Sequence, residues 1–257
     1  MGEDAARDHV VADLQDSGVD CRAIIDSTRP TTQKNVFIAD GYRLLKVDQL
    51  DNRPVSDKIL TELKGHLLQS DAQAVIFSDF RHGIFSRQTI PGLVESIPQS
   101  AFKVADSQVA SRWGNILEFQ GFDLITPNEK EARFALGDQD SVVRSLAVEL
   151  FSRAHCRCLI LKLGERGTIT YRSGVEDPRA FFAVESFAQG VVDAVGTGDA
   201  MLAYSTLAML QTQSEVVASI LGSIAAAVAC ETEGNMPVSP ERVQDRLDLI
   251  EKQLQFT

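Results

Sequence analysis

Seven residues of this chain combine the types and spacing of phosphate chemistry: Asp193-Ala194-Val195-Gly196-Thr197-Gly198-Asp199, with the apolar run 200–210 directly behind them. Two glycines flank a small residue, which lets backbone N–H groups turn toward one point. A helix beginning there adds the positive end of its dipole. A negative group in transfer fits such a nest, and Asp199 beside it can accept a proton from an attacking hydroxyl. The other reading of the same residues is a glycine turn with an aspartate cap. The spacing is not G-x-G-x-x-G, because Met201 occupies the third glycine's place, so the dinucleotide fingerprint is not met.

The elements that must hold this loop follow from periodicity and turn chemistry. Residues 3–17 read as a helix and 20–25 as a short strand. Runs 34–39 and 42–47 are β-rich and separated by Asp40-Gly41, a hairpin signal because both turn residues tolerate positive φ. Alternation follows: helix 56–69, strand 74–78, helix 86–97, strands 102–105 and 123–126, and helices 128–136 and 141–154. Strands 159–163 and 168–171 meet at Gly164-Glu165-Arg166-Gly167. Two long apolar helices, 198–211 and 215–232, precede a last helix opened by Ser239-Pro240, with Val243, Leu247, Ile250 and Leu254 as its buried stripe.

Strand alternating with helix predicts an α/β fold with a mostly parallel sheet covered on both faces. Ligands of such folds gather beyond the carboxyl ends of the strands. Asp79, Asp106, Asn128, Glu131 and Gly164 all fall on that rim. Any one of them alone is the usual cap or turn residue. Asn128 with Glu131 also reads as a capping box.

Composition narrows the partners. The 257 residues are 44% hydrophobic and 24% charged, with a formal net charge of -11 and no run of lysine or arginine. This argues against nucleic acid and anionic membrane as partners. Apolar stretches such as 224–230 are far below the ~20 residues that span a bilayer. The polar, acidic start shows no signal peptide, so a cytoplasmic location is expected. Cys21, Cys156, Cys158 and Cys230 lack metal-ligand spacing and read as buried or half-buried reduced thiols.

Taken together, these residues resemble the ribokinase-like carbohydrate kinases, the phosphofructokinase-B group. Residues 193–199 are similar to the family's D-T-x-G-A-G-D signature, with Ala194 for Thr and Thr197 for Ala. The resemblance implies a three-layer α/β/α fold, ATP and Mg²⁺ as cofactors, and a sugar or sugar phosphate as acceptor. It makes Asp199 the catalytic base, Asp193 its support, and the backbone of Gly196, Thr197 and Gly198 the anion hole. Asn128-Glu129-Lys130-Glu131 resembles the N-x-x-E motif, which implies that Asn128 and Glu131 organise metal and phosphate. Residues 162–167 resemble the T-x-G-x-x-G segment beside the nucleotide, so Lys162, Gly164 and Gly167 are expected at ATP. Lys162 stands where Thr is common. Ser223, in place of a helix Asn, and Asn235 complete the ATP set.

Within the group, Pro30-Thr31-Thr32-Gln33-Lys34 and Leu44-Leu45-Lys46-Val47-Asp48 look like the P-T-T-x-K-x-R … L-L-R-x-D run of heptose 7-phosphate kinases, the kinase half of ADP-heptose synthases. Residues 78–83 resemble their S-D-Y-x-K-G segment. The resemblance implies one kinase domain over 1–257, a β lid over 30–49, Lys34 and Asp79 on the sugar, and a homodimer through the lid strands. Val36 stands for an expected Arg and His82 for an expected Lys, which removes two cations from the sugar side. Gly2-Glu3-Asp4 matches a point ~60–80 residues into family chains, so the first strand of the family fold is expected to be absent. A non-catalytic nucleotide-binding remnant therefore stands beside the kinase reading. ATP binding without sugar-dependent ADP formation distinguishes the two.

Overall fold

Two units make up the chain: Met1–Asp71 with Phe80–Gln99, and Ala72–Asp79 with Ser100–Thr257. The computed structural model describes residues 1–40, 42–108, 116–174 and 180–254. In the first unit Asp4 caps α1 (Ala5–Asp16), accepting from Arg7 N at 3.0 Å. Its second carboxylate oxygen accepts from Thr31 N at 2.8 Å, which ties the chain start to the segment entering β1 (Gln33–Ala39). β1 pairs antiparallel with β2 (Tyr42–Gln49), with a register shift between Phe37 and Ile38. Asp40 enters the turn at φ +49°, as the hairpin signal requires, while Gly41 lies outside the described residues. The ribbon leaves Phe37, Tyr42 and Leu44 more than half exposed. α2 (Asp57–Leu68), capped by Ser56, packs against the short α3 (Ile90–Val94).

Two expectations for this unit are corrected. Residues 20–25 form no strand. They lie beside the chain start, with Met1 N donating to Ile24 O and Asp26 N to Met1 O, and a strand needs a partner ladder. The helix expected over 86–97 shrinks to the five residues of α3. The Thr89 hydroxyl accepts from Ser86 N and donates to Ile84 O, which holds residues 84–89 in a turn.

The second unit carries a six-stranded sheet in the order β3 (Ala74–Asp79), β4 (Phe102–Ser107), β5 (Leu124–Ile125), β6 (Cys158–Lys162), β7 (Thr168–Arg172), β8 (Phe181–Val184). β3 to β6 pair in parallel, and β7 and β8 add antiparallel. β8 is a strand absent from the sequence expectation. Alternate residues face opposite sides. Val104, Leu124, Cys158 and Ile160 meet Met201 and Leu202 of α6 (Thr197–Thr212) and Ala226 of α7 (Glu215–Cys230). On the other side, α4 (Glu129–Leu136) and α5 (Val143–Ala154) cover β6, burying Leu146 and Leu150. α8 (Pro240–Leu254) closes over α7 through Val243, Leu247 and Ile250, as its periodicity predicts. Ser239 Oγ accepts from Arg242 N, the expected cap. All four cysteines are free thiols, and all but Cys21 are buried. Among the described residues no helix is long and apolar enough to cross a membrane.

Candidate active site

The 193–199 loop folds as its residue types dictate. Asp193 Oδ1 accepts from Val195 N at 3.0 Å, closing a side-chain turn. Asp193 N and Val192 N both donate to Cys230 O, which fastens the loop to the end of α7. Gly196 then takes φ +79°, ψ -9°, a left-handed conformation that favours glycine. A Cβ there would also lie 2.1 Å from Asn235 Oδ1. α6 starts at Thr197 with no side-chain cap, and Thr197 N donates to Ala194 O at 3.4 Å, so the positive end of the helix dipole faces outward from this loop. Asp199 sits in that first turn and is exposed. Its negative charge is favourable at this end of the helix dipole.

Beside the loop lies a cavity of about 620 Å³. Its lining includes Lys162, Gly164, Gly167, Thr197 and Ser223, five residues marked in the sequence for nucleotide or anion. It also includes Thr168, residues 188–191 and Cys230, which the sequence did not mark. Three hydroxyls on this lining, Thr168 Oγ1, Thr197 Oγ1 and Ser223 Oγ, are buried and have no hydrogen-bond partner among the described residues. An unsatisfied buried hydroxyl costs ~1–3 kcal/mol. Three around one cavity suit a polar ligand. Gly167 takes φ +80°, and a Cβ there would strike Val184 O at 2.1 Å, so the tight β6–β7 turn needs glycine. Glu129 accepts from both Arg133 and Arg166, pinning that turn to α4. On the opposite wall Arg246 bonds Glu231 and donates to Phe187 O at 3.0 Å. Glu231 also accepts from Gln189 N at 2.7 Å.

At the rim, Asn128 and Glu131 make a complete capping box. Glu131 N donates to Asn128 Oδ1 at 2.9 Å, and Asn128 N to Glu131 Oε2 at 2.7 Å. Burial pushes the Glu131 carboxyl up to about 7, against the pull of nearby Lys162. Asp106, at the end of β4, accepts from Lys162 Nζ at 3.0 Å and from Thr126 Oγ1 at 2.9 Å. A bridge between Asn128 and Lys162 joins this cluster to β6. Among the described residues no group of three or more His, Cys, Asp and Glu gathers to hold a metal. Mg²⁺ carried by phosphate and water would need only one or two protein oxygens, and Asn128 and Glu131 are the residues here that would offer them.

The remaining marked residues lie elsewhere. Asp79 is 3% exposed and accepts from Ser107 Oγ at 2.9 Å. Asn235 is absent from the cavity lining and lies against Gly196 instead. Lys34 belongs to the first unit, where its ammonium sits 4.9 Å over the Phe80 ring. His82 stacks on the same ring and faces Asn52 Oδ1 at 3.2 Å. Thr168 gave no signal in sequence, because an unpartnered strand hydroxyl is a property of its surroundings.

The fold is of ribokinase-like architecture. Residues 1–242 match the pfkB family carbohydrate kinase profile, and the chain belongs to that family. Phosphofructokinase-2 from Escherichia coli, solved with potassium, superposes with a TM-score of 0.78 at 18% identity, over 96% of this chain and 80% of that one. Ribokinase from Arabidopsis thaliana, solved with ribose and ATP, gives 0.74 at 19%, over 96% and 80%. Among curated relatives, the bifunctional protein HldE of Bradyrhizobium sp. (strain ORS 278) is 26% identical over 256 residues, covering 96% of this chain and 51% of its own. HldE of Wolinella succinogenes is 29% identical over 213 residues, covering 79% and 42%. The chain thus spans about half the length of the curated relatives it matches.

Proposed function

We propose that this chain transfers the γ-phosphoryl group of ATP to a hydroxyl of a sugar or sugar phosphate resembling heptose 7-phosphate. One observation carries the reading. An exposed aspartate, Asp199, stands in the uncapped first turn of α6, next to a cavity with three unpartnered hydroxyls. Asp199 takes the proton of the acceptor hydroxyl as its oxygen bonds to phosphorus. Gly196, Thr197 and Gly198 stabilise the charge of the transferring group through backbone N–H groups and the helix dipole. Lys162, Gly164, Gly167 and Ser223 hold ATP, and Asn235 supports Gly196. Asn128 and Glu131 hold Mg²⁺ through water, and the metal, when bound, offsets charge on the phosphates.

Lys34 and Asp79 serve the sugar side in this reading. The 30–49 ribbon acts as a lid, and its exposed apolar side chains meet those of a second copy. The setting is cytoplasmic. Catalysis rests on positioning and electrostatics rather than covalent chemistry. The test is a panel of heptose 7-phosphate and neutral hexoses with MgATP, read by ADP release and by phosphorus NMR of the product. A sugar-dependent phosphate ester supports the kinase reading. ATP binding with no sugar-dependent ADP supports the non-catalytic remnant.

A further inference from the structure

A lysine at the start of a helix opposes the helix dipole, and this chain places one there. A Cβ on Gly198 would lie 3.2 Å from Lys162 Nζ. The Lys162 side chain is 15% exposed, and its ion-pair partner Asp106 is 12% exposed. Ammonium and helix terminus repel one another, most strongly where water is scarce. Asp106 pairs with the ammonium at 3.0 Å, and the same oxygen also accepts from Thr126. An anion between lysine and helix relieves both. A second observation points to the same ligand. Thr168 and Ser223, 2% and 5% exposed, carry hydroxyls with no partner and line the cavity that Lys162 and Thr197 share. The Lys162–Asp106 ion pair holds the lysine in place but does not account for these hydroxyls.

We propose that Lys162 stabilises the charge on the terminal phosphoryl group of a nucleoside triphosphate during transfer, and that Asp106 is the positioning residue that holds its ammonium beside the α6 N-terminus. The proposal rests on the kinase reading and assigns Lys162 to the reacting group rather than to ATP in general. In the transfer, the acceptor oxygen bonds to Pγ while the bond from Pγ to the bridging oxygen breaks. The electron pair of that bond leaves with ADP, and the acceptor's proton passes to Asp199. Lys162 gives up no proton. Its fixed charge offsets the negative charge on the group in flight. In the family resemblance threonine is common at this position, and a threonine supplies no such charge.

The experiment compares wild type with Lys162→Met, Lys162→Arg and Asp106→Asn. MgATP and MgADP binding are measured by calorimetry, and sugar-dependent ADP release by a coupled assay. Wild type is expected to bind ATP more tightly than ADP, and Lys162→Met to cut that ratio about tenfold, since ADP lacks the group contacted. Lys162→Met should lower kcat ~10²–10³-fold, the usual loss of one oxyanion donor. Lys162→Arg should restore part of both. Asp106→Asn should lower kcat with ADP affinity kept within about twofold, a split that a merely structural role would not produce. If Lys162→Met does not fold, Lys162→Thr carries the same comparison. An unchanged ATP-to-ADP ratio and kcat in the folded variant overturn the proposal. Wild type that binds ATP but releases no ADP with any sugar defeats the kinase reading and with it the role of Lys162 in transfer, while the binding ratio separately decides its contact with the terminal phosphate. Wild type that binds neither nucleotide overturns both.

Discussion

Glu131→Gln isolates the consequence of burying a carboxyl at the rim of the site. Burial is the largest influence on Glu131 and pushes it from 4.5 to about 7. Lys162 pulls it down, Asp106 pushes it up, and the hydrogen bonds from Asn128 pull it down. An acid whose folded value is raised holds its proton more tightly when folded than when unfolded. The stability this adds is complete below pH 4.5 and is lost as pH rises to about 7. At about 1.4 kcal/mol per pH unit, the loss is on the order of 3 kcal/mol. Glutamine keeps the capping-box acceptor for Asn128 N but does not titrate. Urea unfolding of both proteins from pH 4.5 to pH 8 gives the difference, because every other group titrates alike in each. The variant should equal wild type near pH 4.5 and exceed it by that order at pH 8. Parallel pH profiles would refute the buried, proton-holding carboxyl. A variant less stable than wild type at pH 8 would show that the ionised Glu131 is net stabilising beside Lys162.

Three further outcomes follow from the same geometry. Gly196→Ala forces a side chain into a left-handed residue against Asn235 and should cost ~1 kcal/mol or more, seen as a lower Tm and a higher KM for ATP. Arg246→Ala releases Phe187 O and Glu231, and with them the cavity wall at Gln189; KM for ATP should rise several-fold with kcat kept, and Arg246→Lys should recover part. Leu44→Glu puts charge on the exposed ribbon and should shift a dimer to monomer in light scattering, whereas an unchanged mass would remove the ribbon as the dimer face.

Much of the site was legible because its chemistry is local. Asp193, Gly196 and Gly198 announce their turn through their own backbone preferences. Asn128 and Glu131 satisfy one another across a single helical turn, and Ser239-Pro240 opens α8 where the pattern places it. What stayed hidden depends on partners distant in sequence. Residues 20–25 have strand-like composition, yet the described structure gives them hydrogen bonding to Met1 rather than a strand ladder. β8 is four half-buried or exposed residues at the antiparallel edge, without alternation to mark it. Thr168 became notable only once its hydroxyl lacked a partner among the described residues, and Lys162, already marked for ATP, showed its place at the start of α6 only once β6 brought its ammonium to Gly198. The upward shift of Glu131 is likewise a product of burial, invisible in a motif that reads as an ordinary cap.

The most direct test of the kinase account is Asp199→Asn. It retains the shape of the side chain and the backbone of the α6 turn but cannot take the acceptor's proton. The account predicts that ATP affinity stays within about twofold while sugar-dependent ADP release falls ~10²–10⁴-fold, the usual contribution of a general base. Asp199→Asn turning over sugar at the wild-type rate would contradict it.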